Sequence, residues 1–224
     1  MSPIPILRSI ARLQSGLMID IGARDCAMSK RFAELGYQID AIDPAPPPIH
    51  ALGKNITYHQ KTLEQFVAER RYDLVIASMV SHLVKYDIPT LLDRLKSLAA
   101  EDGLIYVTLL GEDDGWAANP DAKAISFDAA CNVCKSLELK PLYKSTEWLE
   151  GRLYSGEGKF WHLFRFVLTS EQNRRPPKVS SKAERRRQFG EDCSPPRMPP
   201  DSSSSSASTP ISPAPKPLRR SSRP

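Results

Sequence analysis

Three carboxylates crowd one short stretch of the chain. Asp20 comes just before a tight turn, Gly22-Ala23-Arg24-Asp25; Asp25 lies within it, and Asp43 stands twenty-one residues after Gly22. An acid that distance beyond a glycine turn, at the end of a second strand, can hold a ribose hydroxyl. A dinucleotide site needs Gly-x-Gly-x-x-Gly, because backbone must approach a doubly charged pyrophosphate closely. From Gly22 the chain reads Gly-Ala-Arg-Asp-Cys-Ala, so the later glycines are missing. Asp20 and Asp25 would also repel a pyrophosphate, since like charges at contact cost several kcal/mol where water is scarce. A ribose-bearing ligand that is itself cationic is favoured instead.

The elements that must present these groups can be read on either side of the turn. Leu17-Met18-Ile19-Asp20-Ile21 is a short apolar run of the length of a buried parallel strand. Met28, Phe32 and Leu35 repeat at helical spacing and Gly36 follows where a helix C-terminus wants it. Tyr37 to Ile42 predicts the second strand, ending in Asp43. In open α/β sheets ligands bind at the carboxyl ends of the strands, where this spacing puts all three acids. S-adenosylmethionine suits them. It offers a ribose to Asp43, carries no phosphate, brings an ammonium and a sulfonium to the acids, and has a carboxylate within the scope of Arg24 or Arg31. The bland alternative is a doubly wound domain whose first turn binds nothing.

Ile19-Asp20-Ile21-Gly22, the short loop and Asp43 resemble the first two motifs of the class I S-adenosylmethionine-dependent methyltransferases. The usual loop of that family is Gly-x-Gly-x-Gly, and here Arg24 and Cys26 replace its later glycines. The resemblance implies an α/β fold, a doubly wound, mostly parallel seven-stranded sheet with an antiparallel last strand. It implies that Asp20, Gly22, Ala23 and Arg24 hold the methionine part of the cofactor and Asp43 the ribose. Thr62 and Leu63, with Ser78, Met79 and Val80, would surround the adenine. At about Thr62 the family often carries an acid; Thr62 offers a hydroxyl and Glu64 lies two residues later. Within the class, the GARD turn and Gly158-Lys159-Phe160-Trp161-His162 are similar to the tellurite-resistance type, over about residues 17 to 168.

Farther along, Ile56 to His59 predicts a third strand and Tyr72 to Ser78 the clearest one, apolar and β-branched. His82 follows it with two readings, a space-filling histidine beneath the cleft or a general base, since its unperturbed pKa lies near neutrality. Pro89 opens a helix bearing Leu91, Leu92, Leu95 and Leu98, Leu104 to Leu110 is a fifth strand, and Ser126 caps a helix running to about Leu137. Between them Glu112, Asp113, Asp114 and Trp116 form either a solvated loop or the greeting surface for a cationic or planar substrate. Residues 141–149 and 160–169 predict two closing strands, in which Trp161 and His162 read equally as core residues or as substrate contacts. Before the first strand, Ile6, Ile10 and Leu13 predict one short amphipathic helix closing at Gly16, and the proline run Pro44 to Pro48 excludes a helix after the second.

The 224 residues, 41% hydrophobic, are enough for one good core. No apolar run approaches the roughly 18 residues that cross a bilayer, and the first residues lack the pattern of a signal peptide. Four cysteines, Cys26, Cys131, Cys134 and Cys193, are scattered; the lone CxxC at 131–134 falls in a predicted helix and reads as packing, with no metal site expected. A cytoplasmic, monomeric protein is expected. Of the net charge of +5, residues 172–224 hold twelve Lys and Arg against four acids, +8, so the first 171 residues carry −3. That segment is rich in proline and serine and poor in large apolar residues, so 1–170 is read as the domain and 171–224 as a disordered basic tail with weak contact to a polyanion. The expected activity is methyl transfer from S-adenosylmethionine to an unidentified acceptor, most simply a small molecule. The alternatives are an inactive binding module served by its tail, and a nicotinamide enzyme, which the acids around Gly22 disfavour.

Overall fold

The computed structural model describes residues 3–11, 13, 15–48, 52–152 and 157–170. Seven strands form one sheet: β1 (Leu17–Ile21), β2 (Gln38–Asp43), β3 (Ile56–Gln60), β4 (Tyr72–Ala77), β5 (Ala99–Leu110), β6 (Leu139–Arg152) and β7 (Gly158–Ser170), in the order β3-β2-β1-β4-β5-β7-β6. The first five pair in parallel, while β7 runs antiparallel to both β5 and β6. This is the predicted doubly wound sheet. Its strand order reverses between β1 and β4, and an open α/β sheet forms its binding crevice at such a point.

The two faces follow from the period of two along each strand. Ile19 and Ile21, Val75 and Ala77, and Ile105 and Val107 point to one core. Met18, Leu74, Ile76 and Tyr106 point to the other. The first core is covered by α3 (Ile88–Leu98) and α4 (Phe127–Ser136), the second by α1 (Ile4–Ile10) and α2 (Ala27–Ala33). Asp87 caps α3 by accepting from the Thr90 N–H at 2.8 Å, and Ser126 caps α4 by accepting from the Ala129 N–H at 3.2 Å. Cys134 of the CxxC pair is buried in the first core.

Three details depart from the predicted elements, the first being that β5 begins at Ala99 rather than Leu104. The amino-terminal helix ends at Ile10, well before Gly16, and buries Leu7 where Ile6, Ile10 and Leu13 were expected to lead. The closing strands are longer than predicted, because their paired halves extend past the sheet body toward the turn. The predicted basic tail lies outside the described residues.

Candidate active site

A cleft of about 1140 Å³ opens over the carboxyl ends of the parallel strands. All ten residues expected to hold a cofactor line it: Asp20, Gly22, Ala23, Arg24, Asp43, Thr62, Leu63, Ser78, Met79 and Val80.

The first loop explains how the shortage of glycine is accommodated. Gly22, Arg24 and Cys26 all take left-handed backbone, with φ of 74°, 46° and 56°. These are the three positions of Gly-x-Gly-x-Gly, so the loop keeps its glycine-type path with side chains on two of them. A Cβ on Gly22 would lie 3.0 Å from a methyl carbon of Val80, so that position leaves little room in addition to its φ. Left-handed backbone costs an L-residue about 1–2 kcal/mol, against about 0.5–1 kcal/mol for the extra freedom glycine loses on folding. Arg24→Gly is therefore expected to raise the unfolding free energy by about 0.5 kcal/mol in urea titration. A loss of stability would mean that the arginine side chain contributes more than its backbone costs.

The loop is tied to the second strand. Gly22 and Ala23 both donate their N–H to the Ile42 carbonyl, at 2.8 and 3.0 Å. Asp43 accepts from the Arg24 N–H on one oxygen (2.9 Å) and from the Ala45 N–H on the other (2.8 Å). Each carboxylate oxygen keeps a second lone pair for a diol. Tyr58 donates to the Ala45 carbonyl at 2.8 Å and steadies the proline-rich rim. Asp20 is buried and accepts from the Ser29 hydroxyl at 2.6 Å. Burial pushes its pKa up to about 6, and the charges of Asp25 and Asp43 add to the rise.

On the opposite bank Glu64 accepts from the Lys85 N–H at 2.6 Å, joining the segment after β3 to the segment after β4. Its carboxylate thus binds the backbone while Glu64 lines the cleft beside Thr62 and Leu63. Met79 has φ 57°, and its N–H donates to the Thr108 hydroxyl at 2.5 Å.

At the far end stand His82, Trp116 and Trp161. Ring centroids are 5.4 Å apart for His82 and Trp116, 6.3 Å for His82 and Trp161, and 5.3 Å for the two tryptophans, the tryptophan pair in an edge-to-face arrangement. All three line the cleft. Burial lowers the His82 pKa, and the charge of Lys159 lowers it further. Its Nδ1 is buried without a hydrogen-bond partner among the described residues.

His162 does not join them. Strand alternation sends Trp161, Leu163 and Arg165 into the cleft and turns His162 away, where it stacks on Trp148 at 3.8 Å and accepts from the Asp113 N–H at 3.2 Å. Gly111 permits this packing, since a Cβ there would fall 2.3 Å from the His162 ring. Asp114, read as part of a solvated or substrate-greeting loop, is buried instead. It pairs with Lys159 and accepts from the His162 N–H at 3.0 Å and the Trp116 N–H at 2.9 Å. The Lys159 ammonium lies over both tryptophan rings, 4.4 Å from the Trp116 centroid and 3.5 Å from that of Trp161. The sequence reading missed the roles of Lys159 and Thr108 and the pair of buried Arg165 with half-buried Glu147 (2.6 Å). The one available signal was Lys159, Trp161, Leu163 and Arg165 at period two.

Residues 6–161 match the methyltransferase domain family. The chain belongs to that family. Among curated proteins it is 30% identical over 113 residues to a ubiquinone biosynthesis O-methyltransferase of Rhodopseudomonas palustris, a match covering 47% of this chain and 44% of that one. The chain thus spans less than half the length of the curated relatives it matches. Among solved structures it is similar to TehB from Haemophilus influenzae, with a TM-score of 0.60 at 13% identity, covering 75% of this chain and 60% of that one. It is also similar to magnesium protoporphyrin IX methyltransferase from Synechocystis with bound S-adenosylmethionine, at 0.52 and 17%, covering 75% and 76%. At these identities the likeness is one of fold, and it agrees with the class I sheet described above.

Proposed function

We propose that this methyltransferase-family chain moves the sulfonium methyl of S-adenosylmethionine to a small-molecule acceptor. The observation that carries the reading is that all ten expected cofactor residues line one cleft at the strand ends, with Asp43 free to accept from a diol on both oxygens. When bound, the cofactor supplies an electrophilic methyl group. The chain's own part is to bind, align and exclude water. Asp20 and the 22–24 backbone hold the amino-acid end, Asp43 the ribose, and Thr62, Leu63 and Ser78–Val80 the adenine. His82, Trp116 and Trp161 face the acceptor, and His162 supports the wall behind them.

Calorimetry with S-adenosylhomocysteine and with NAD tests the assignment, since binding of NAD alone overturns it. Asp43→Ala is expected to weaken S-adenosylhomocysteine by about 1.5–3 kcal/mol, the range for hydrogen bonds to a charged group. Unchanged affinity would remove Asp43 from the ribose.

The finer reading is a monomeric cytoplasmic protein with a domain over 1–170 and a basic tail over 171–224. In support of a reducing compartment, Cys26, Cys131 and Cys134 are free thiols. Deleting 172–224 is expected to abolish retention on a phosphate matrix, because that segment holds the +8, while the melting temperature stays within about 2 °C. A large drop in melting temperature would make the tail part of the fold.

A further inference from the structure

The acceptor end of the cleft has a chemistry of its own. Its walls are aromatic, and the cation that such walls attract is already there: Lys159, buried, sits over both indoles and is paired with Asp114. A second cationic group would meet faces already engaged and the charge of Lys159 behind them. A flat, uncharged ring would meet rigid apolar walls, because Trp116 is anchored by its backbone bond to Asp114 and Trp161 by its strand. His82 lies against both indoles, where burial disfavours its protonation; the Lys159 and Lys123 ammonium groups add to this and the Asp114 carboxylate opposes them. Lys123 is itself held by the Val84 carbonyl.

Resting on the methyl-transfer reading, we propose that the space walled by His82, Trp116 and Trp161 takes a planar acceptor bearing an acidic hydroxyl, a phenol or enol, with His82 accepting its proton. The O–H bond breaks, its proton passes to the imidazole, and the electron pair stays on oxygen. That oxygen gains the cofactor's methyl as the carbon–sulfur bond breaks and its pair remains on sulfur. His82 then releases the proton to solvent. Imidazole left neutral by burial can accept the proton, and the negative charge developing on oxygen is opposite in sign to the imidazolium that forms beside it.

The test needs no turnover. Para-nitrophenol, whose neutral and ionised forms differ in colour, is titrated into the cofactor-free protein. Quenching of tryptophan fluorescence reads binding, and absorbance reads ionisation. The bound probe should ionise at lower pH than in solution. Trp161→Ala should weaken binding about tenfold, consistent with loss of a ring contact. If that variant does not fold, Trp161→Phe should weaken it about threefold. His82→Gln should keep the affinity within about threefold and erase the ionisation shift. Trp148→Phe, off the cleft, should change neither. Tighter binding of benzyltrimethylammonium than of the phenol, an unshifted bound probe, or indifference to Trp161 would overturn the proposal. Failure of S-adenosylhomocysteine to bind in the separate calorimetry would instead overturn the methyl-transfer reading.

Discussion

Lys159→Met is expected to lower the unfolding free energy by about 3–5 kcal/mol, the cost of stranding one partner of a buried ion pair. The side chains of Lys159 and Asp114 are 3% and 0% exposed. Without the ammonium, the Asp114 carboxylate keeps only its backbone partners, the N–H groups of His162 and Trp116. The indoles of Trp116 and Trp161 lose their cation at the same time. The double variant Lys159→Met, Asp114→Asn removes both charges and should recover most of the loss, since a buried pair adds little over a well-packed uncharged one. Urea titration of the three variants decides the matter. A single-variant loss below about 1 kcal/mol would mean that water reaches the pair.

Asp20 should make the protein less stable as the pH rises through the weakly acidic range. Its carboxyl is raised from 3.8 to about 6 in the folded chain. Between those values the folded state holds a proton that the unfolded chain has released, so stability falls as pH climbs through that window and stays lower above it. At about 1.4 kcal/mol per pH unit, the penalty at pH 7 is about 3 kcal/mol. Asp20→Asn, whose amide oxygen can still accept from Ser29, should therefore stabilise the protein at neutral pH and flatten the profile. The same carboxyl should ionise to meet the ammonium of the cofactor. S-adenosylhomocysteine binding would then release a proton near pH 5.5 and weaken toward pH 5, and calorimetry in buffers of different ionisation enthalpy would detect it. Identical binding heats in all buffers would disconnect Asp20 from the ligand.

The side of the cleft proposed for the cofactor was legible in the sequence because its signals are local. The apolar run of β1, the glycine turn and Asp43 lie within twenty-seven residues, Leu17 to Asp43, and the backbone alone fixes their order in space. The seven strands were legible for a similar reason, since each carries its own period or apolar run. The far end, where the acceptor is proposed to lie, was only partly so. Trp116 and Trp161 come from a loop and a strand forty-five residues apart, and what joins them is the ion pair of Asp114 with Lys159. No local pattern distinguishes a buried Asp-Lys pair from two solvated charges. His162 shows the limit most sharply: one step along β7 from Trp161, it faces the other side of the sheet. A composition that names both residues cannot choose between them, whereas the pleat does.

The cleft divides along the chain as well as in space. The residues assigned to the cofactor fall between Asp20 and Val80, while the far wall is drawn mostly from Trp116 onward, with Trp161, Leu163 and Arg165 all on β7. The inward-facing positions of the β6–β7 hairpin therefore belong to the far wall and to none of the ten residues assigned to the cofactor. Changes confined to these positions can alter which molecule is accepted while the nucleoside side stays untouched. Substrate choice and cofactor binding are thus set by different stretches of the chain, and the first can be altered by substitution on one hairpin.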